Sequence, residues 1–265
     1  MHITQVSRPD LAYSVMRFAG FMACPNLPIF EAIHLTLCYL FHHPHLPIMY
    51  PSKQAKQSPL YLQTHWRTGF AEYLPGDYGD GLASFADADF ARCLRSRCSV
   101  SANFYLLNGV LISSSCKKQP TTSLHSSGAE LTSLHRAGFK SSLLQTFLQS
   151  IGNPLSSPAV IFEDNQGTIK LIHTQHFTDT VRHFDVKLAW LHENFLRHTF
   201  QVAYSKSALM LVDCCTKPVN GSLLFQQISF AIGVRFYPDP STKHYVDLLL
   251  TEFSWNYRLA SASKV

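Results

Sequence analysis

Asn108-Gly109 is the dipeptide that most narrows the fold of this chain. It stands between two apolar-rich runs, 100–107 and 109–116. Two neighbouring residues that tolerate positive φ, flanked by such runs, signal a tight β-hairpin. A third strand-like run, 82–88, precedes them. The texture then changes. Leu134, Ala137, Leu144, Leu148 and Ile151 recur at helical spacing over about 127–150, and Gly152-Asn153-Pro154 supplies a stop. Ala159-Val160-Ile161-Phe162 is an unbroken apolar run and predicts a buried strand. Asn165 is placed to cap a short helix through Ile172. A helix over 183–198, a strand over 201–204 and a helix that carries Asp213 and ends near Pro218 complete the series. The order β-β-β-α-β-α-α-β-α predicts an α/β fold with a mixed five-stranded sheet flanked by helices.

The flanks read differently. Residues 7–22 predict a helix: Ser7-x-x-Asp10 has the form of a capping box, Pro9 suits a first turn, and Leu11, Val15, Phe18 and Met22 make a stripe. Pro25 ends it. A second helix over 28–42, with Phe30, Ile33, Leu37 and Leu40 on one face, completes a helical hairpin. Residues 44–81 hold Pro, Gly, Lys and Gln among short apolar pieces, the texture of a connector. The expected division is a helical segment at 1–49, a connector at 50–81, the α/β domain at 82–220 and a tail at 221–265. In the tail, Leu223, Phe225, Ile228 and Ile232 suit one more helix.

Composition excludes several classes. The chain has 265 residues, and its 46% hydrophobic content is ample for a core. The seven cysteines are odd in number and form no Cys-x-x-Cys pair, which argues against a zinc ribbon or disulfide framework and for reduced thiols. No apolar run approaches the ~20 residues that span a bilayer, so no membrane association is expected. The first ten residues lack a signal-peptide core, which leaves the cytoplasm as the expectation, with nuclear import open. The net charge of +5 is compatible with a polyanionic partner.

Against a charged fraction of only 15%, four dispersed carboxylates need explaining. They are Asp87 in Ala-Asp-Ala-Asp-Phe, Glu130 in Ser-Ser-Gly-Ala-Glu-Leu, Asp164 in Phe-Glu-Asp-Asn-Gln and Asp213 in Val-Asp-Cys-Cys-Thr-Lys-Pro. Asp87 and Asp164 each end a predicted strand, where side chains meet ligands. Glu130 falls in the first turn of the long helix and Asp213 on the last one. Converging carboxylates repel unless cations neutralise them, and hard oxygen ligands suit Mg²⁺ or Mn²⁺. Each also has an ordinary reading: Ser127-x-x-Glu130 is itself a capping box, Asp164 a turn residue, Asp213 a solvated charge. Only the joint pattern favours a metal site.

The same residues carry a resemblance. Ser7-Arg8-Pro9-Asp10-Leu11-Ala12-Tyr13, Asp87-Ala88-Asp89-Phe90-Ala91, Arg97-x-Ser99-x-Ser101, Lys117-Lys118-Gln119-Pro120-Thr121, Leu124 to Glu130, Asp164-Asn165-Gln166, His183-Phe184-Asp185 and Asp213 with Thr216-Lys217-Pro218 follow one another in order. Together they resemble the ribonuclease H region of Ty1/copia-type retrotransposon Pol polyproteins, preceded by the end of the reverse transcriptase. The likeness runs from about Ser7 to Pro218 and is weak across 50–80.

The resemblance implies a ribonuclease H-like fold. It implies that Asp87, Glu130, Asp164 and Asp213 hold two Mg²⁺ or Mn²⁺ ions and that the substrate is the RNA strand of an RNA–DNA hybrid. Recognition would rest on phosphates and 2′-hydroxyls. Arg92, Arg95, Arg97, Lys117 and Lys118 are then candidate phosphate contacts, or else solvated charges. The remainder of a Pol polyprotein is the implied partner. A catalytically decayed remnant that binds without turnover is the alternative reading. Gly128 for an acidic residue, and the apolar runs Leu188-Ala189-Trp190 and Leu209-Met210-Leu211-Val212, depart from the family pattern. No Tyr-Val-Asp-Asp polymerase motif is present. His42, His43 and His45 read as a polar loop, Cys214-Cys215 as helix packing, Trp190 as core, and His125-Ser126-Ser127 as no triad.

Overall fold

The structure, a computed structural model, describes residues 4, 7–42, 81–93, 96–174, 185–207 and 210–217. In chain order these form a 3-10 turn (Pro9–Leu11), α1 (Ala12–Ala19), α2 (Leu27–His42), β1 (Leu82–Asp89), β2 (Val100–Leu107), β3 (Val110–Lys118) and α3 (Ser126–Ser150). Then come β4 (Ala159–Glu163), α4 (Gln166–Thr174), α5 (Asp185–Leu196), β5 (Phe200–Tyr204) and α6 (Asp213–Thr216).

Asn108 and Gly109 sit at φ of 52° and 76°, the left-handed region a two-residue hairpin turn demands. Leu107 pairs with Val110 across that turn. β3 runs two residues past the predicted end, to Lys118, because β2 offers partners as far as Val100. The five strands lie in the order β3-β2-β1-β4-β5. β2 pairs antiparallel with both β1 and β3, while β4 pairs parallel with both β1 and β5. This is the expected mixed five-stranded sheet flanked by helices.

Strand alternation divides the core between two faces. Ala83 and Phe85 of β1 join Ala102, Phe104, Val160 and Phe162 on one. Leu82 and Ala86 face the other way, with Leu131, Leu134, Ala137, Ile161, Leu188, Leu191 and Phe200. α3 comes close to the second face because its inward residues are small. The hydroxyls of Ser84 and Ser141 lie 2.6 Å apart, and a Cβ on Gly138 would stand 3.0 Å from the Phe200 ring. A Schellman closure ends α3: the N–H of Gly152, at φ 77°, bonds the Gln149 carbonyl, and the N–H of Asn153 bonds that of Leu148.

The first face is covered by α1 and the segment leading into α6. Ala12 and Met16 pack with Met210, Leu211, Val212, Cys214 and Cys215. That burial accounts for the apolar side chains at 210–212. Cys214 and Cys215 are packing residues, as expected, and all seven cysteines are free. Trp190 lies half-buried against Phe200, its centroid 6.1 Å away.

The N-terminal helices depart from the sequence reading. The expected helix over 7–22 is a 3-10 turn followed by α1, which closes at Gly20. Its inward residues are Leu11, Ala12 and Met16, while Met22 is 81% exposed. No side-chain cap forms at Arg8, the N-cap residue. Asp10 instead accepts from the Arg8 guanidinium (2.8 Å) and the Tyr39 hydroxyl (2.8 Å), which ties α1 to α2. On α2, Phe30 and Leu37 are exposed and Ala32 is buried. Leu27, Ile29, Phe30, Ala32, Ile33, Leu35, Leu37, Leu40 and Phe41 ring this helix, so spacing alone could not select its inner face. The proposed connector up to residue 80, the tail from 218, and His43 and His45 lie outside the described residues. Among the described residues, no helix is long and apolar enough to cross a membrane.

Candidate metal centre

β1 and β4 run side by side with Phe85 opposite Phe162. Two residues further on, each reaches a carboxylate, Asp87 or Asp164. α3 is locked over the end of β1 by the Ser133 hydroxyl, which donates to the Asp87 carbonyl (2.8 Å), and by Asn103 Nδ2, which donates to the Ser133 carbonyl (3.2 Å). Glu130, three residues earlier on α3, therefore arrives at the same strand ends. Carboxylate oxygens of Asp87, Glu130 and Asp164 lie within 4.8 Å of one another.

The capping reading of Glu130 does not hold. α3 starts at Ser126, with His125 as N-cap and no side-chain cap bond. Glu130 is thus the fifth helical residue, beyond the first turn, and it is buried. Asn165 does cap α4, its Oδ1 accepting the Thr168 N–H at 3.1 Å.

Asp213 opens α6 and is buried beside this group without joining it. Its Oδ2 takes the Lys217 ammonium at 2.9 Å, and its Oδ1 has no hydrogen-bond partner among the described residues. The Thr216 hydroxyl donates to Asp87 Oδ2, and the Ser207 hydroxyl donates to Asp164 Oδ2 at 2.6 Å.

One acidic residue escaped the sequence reading. Glu163 is fully buried at the end of β4; its Oε1 accepts the Asn165 N–H at 3.1 Å, and its Oε2 has no partner among the described residues. A glutamate closing the apolar run 159–162 was the available signal. Thr216 and Lys217 stood in the Thr216-Lys217-Pro218 stretch without an assigned role, and Ser207 gave no signal, since their contacts depend on how the segment around α6 meets β1 and β4.

The electrostatics follow from burial. Burial, then the charges of Glu163, Asp87 and Asp164, push the Glu130 carboxyl well above its ordinary range. Glu163 is raised by burial, with Asp164 and Asp87 adding to it. Asp87 is raised chiefly by burial, against the Lys217 charge and the Thr216 hydroxyl. Asp213 is pushed up to about 7, by burial first and then by Asp87. Asp89, lying beside Asp87 and 3.4 Å from the Arg92 guanidinium, rises to about 6, again mainly by burial. Burial alone would lower Lys217, but Asp87, Asp213 and Asp164 outweigh it and hold the ammonium above its usual range.

Carboxylates raised by burial and by one another, with oxygens on Glu130, Glu163 and Asp213 that have no partner among the described residues, form a donor set short of positive charge. All its donors are hard oxygens, which fits Mg²⁺ or Mn²⁺.

The basic candidates are arranged less tightly. Arg92 is 45% exposed and paired with Asp89. Arg97, at φ 53°, and Lys117 and Lys118 at the end of β3 are exposed. Arg95 and His183 lie outside the described residues, and Asp185 begins α5. The motif serines Ser99 and Ser101 are buried supports: Ser99 Oγ accepts the Ala91 N–H (3.1 Å) and Ser101 Oγ the Gln119 amide (2.7 Å).

No protein-family model matches the chain. The retrovirus-related Pol polyprotein from transposon RE1 of Arabidopsis thaliana is 25% identical over 232 residues, 88% of this chain and 14% of that polyprotein. Secreted RxLR effector protein 161 of Plasmopara viticola is 31% identical over 137 residues, 52% of this chain and 80% of that protein. This chain therefore spans about one seventh of the length of the plant relative. Among solved structures, LC11-RNase H1 in complex with an RNA/DNA hybrid matches over 51% of this chain and 92% of its own, at 13% identity and a TM-score of 0.39.

Proposed function

We propose that this chain, which belongs to the family of retrovirus-related Pol polyproteins of transposons and counts secreted RxLR effector protein 161 among its relatives, cuts the RNA strand of RNA–DNA hybrids at the acidic pocket. One observation carries the reading: Asp87, Glu130 and Asp164, far apart in sequence, bring ligand oxygens within 4.8 Å of one another at the ends of two parallel strands. Four carboxyls raised by burial (Asp87, Glu130, Glu163 and Asp213) crowd beside Asp164, and divalent cations would supply the positive charge that lets them ionise together.

Asp87, Glu130, Asp164 and Asp213 are the residues that would hold the ions, which supply a lowered pKa for the attacking water and charge stabilisation for the leaving 3′ oxygen. The chain's own groups prepare this. Thr216 and Ser207 orient the carboxylates of Asp87 and Asp164 by donating to one oxygen of each. Ser133 and Asn103 hold α3 so that Glu130 reaches the strand ends. Glu163 accepts the Asn165 N–H and so fixes the turn that carries Asp164. Arg92, Arg97, Lys117 and Lys118 offer exposed charge to phosphates. Residues 82–220 are the catalytic unit in this reading, and α1 and α2 the end of a reverse transcriptase.

The test is incubation of the chain with a labelled RNA–DNA hybrid and Mg²⁺, beside Asp87→Asn and Asp164→Asn. Metal-dependent cutting lost in both variants is the expected result. Hybrid binding with no cutting by the unaltered chain refutes catalysis and identifies a decayed, nucleic-acid-binding remnant.

A further inference from the structure

Asp213 is the carboxylate that stands apart. Asp87, Glu130 and Asp164 form a group within 4.8 Å, whereas Asp213 gives one oxygen to Lys217 at 2.9 Å and keeps the other buried, with no hydrogen-bond partner among the described residues. Lys217 is the residue just past α6, and its N–H bonds the Asp213 carbonyl at 3.0 Å. The ammonium is thus held at short range by the backbone of the residue whose carboxylate it binds. Asp87 and Asp164 attract it as well. Its side chain is 35% exposed, so the head group has a way out to solvent while the helix stays folded.

We propose that Lys217 is a tethered counter-cation, a positioning residue that keeps Asp213 out of the three-carboxylate group until an arriving divalent ion displaces the ammonium and recruits Asp213. The inference rests on the metal centre proposed above. An ammonium and a divalent ion repel each other at such range, and both are attracted to the same carboxylates. Binding of the ion therefore includes the work of separating Lys217 from Asp213. Lys217 lowers metal affinity and, in return, stabilises the metal-free pocket. An ordinary exposed ion pair would do neither to a measurable degree.

The consequence has an unusual sign: removing a conspicuous active-site lysine tightens metal binding. The full chain, free of nucleic acid, is titrated with MgCl₂ by calorimetry at pH 8 and constant ionic strength, and the Mg²⁺-dependent rise in Tm is followed in parallel. Lys217→Met is expected to bind Mg²⁺ roughly five- to tenfold more tightly than the unaltered chain. Lys217→Arg, which keeps the charge, is expected to stay within about twofold of it. Asp87→Asn is the control for the centre itself. If the unaltered chain and Asp87→Asn bind Mg²⁺ identically, the centre is wrong. If the unaltered chain binds, Asp87→Asn does not, and Lys217→Met binds no more tightly than the unaltered chain, the role of Lys217 is overturned and the centre stands. Should Lys217→Met fail to fold without metal, Lys217→Gln and the MgCl₂ concentration that restores folding give the readout. A restoring concentration above the Kd of the unaltered chain overturns the proposal.

Discussion

The acidic pocket makes a prediction about stability that is independent of catalysis. In the metal-free chain, Asp213 holds its proton up to about pH 7, against an ordinary 3.8. An acid whose pKa is raised on folding binds more protons folded than unfolded between those two values. Stability must therefore fall as pH rises from about 4 to about 7, and stay low above that. Each pKa unit corresponds to ~1.4 kcal/mol. The ionised Asp213 thus destabilises the metal-free fold by up to about 4 kcal/mol, and about 2–4 kcal/mol is the expected range because its charge is shared with neighbouring carboxylates. Asp213→Asn removes that charge. At pH 8 in EDTA the variant is expected to melt about 5–10 °C above the unaltered chain, and at pH 4 the two should coincide within about 2 °C. With saturating Mg²⁺ the gap should close, because the unaltered chain gains binding free energy that the variant lacks. The measurement is a pH series of thermal or urea denaturation with and without metal. A variant less stable than the parent at pH 8, or a difference that does not change between pH 4 and pH 8, would refute this account of the pocket.

Other predictions concern the frame around the pocket. His198 ends α5 at φ 56° in a Schellman closure, with its N–H on the Phe195 carbonyl and the Thr199 N–H on the Asn194 carbonyl, so His198→Gly should stabilise by about 0.5–1 kcal/mol in urea titrations. Gly138→Ala should destabilise by roughly 1–2 kcal/mol: its Cβ would meet Phe200 at 3.0 Å and Trp190 at 3.2 Å, and the repacking outweighs the helix propensity gained. Asn165→Ala should cost about 1 kcal/mol by removing the cap of α4, and should weaken Mg²⁺ binding measured by calorimetry, because the same turn carries Asp164.

Much of the sheet was legible because its signals are local. The Asn108-Gly109 turn, the apolar run 159–162, the Gly152 stop and the Asn165 cap each depend on a few neighbouring residues, and the structure places all four as read. The N-terminal helices were read less well. An apolar ring such as α2 contains no internal record of its inner face, and Asp10 found its partners in Arg8 and in Tyr39, twenty-nine residues away, instead of in a capping box. Glu163 shows the same limit from the other side: its burial is set by β1 and β5 flanking β4, which the run of letters does not display.

The sequence by itself determined the strand and helix order and the identities of four dispersed carboxylates, since periodicity, turn chemistry and motif spacing act over short stretches of chain. Tertiary structure alone decided which of those carboxylates meet. Parallel pairing of β1 with β4 sets Asp87 beside Asp164, the Ser133 and Asn103 bonds bring in Glu130, and the Lys217 contact leaves Asp213 at the margin. The physical reason is that bringing like charges together opposes folding. Packing contacts spread across the whole sheet must hold them there, and no short segment contains that information.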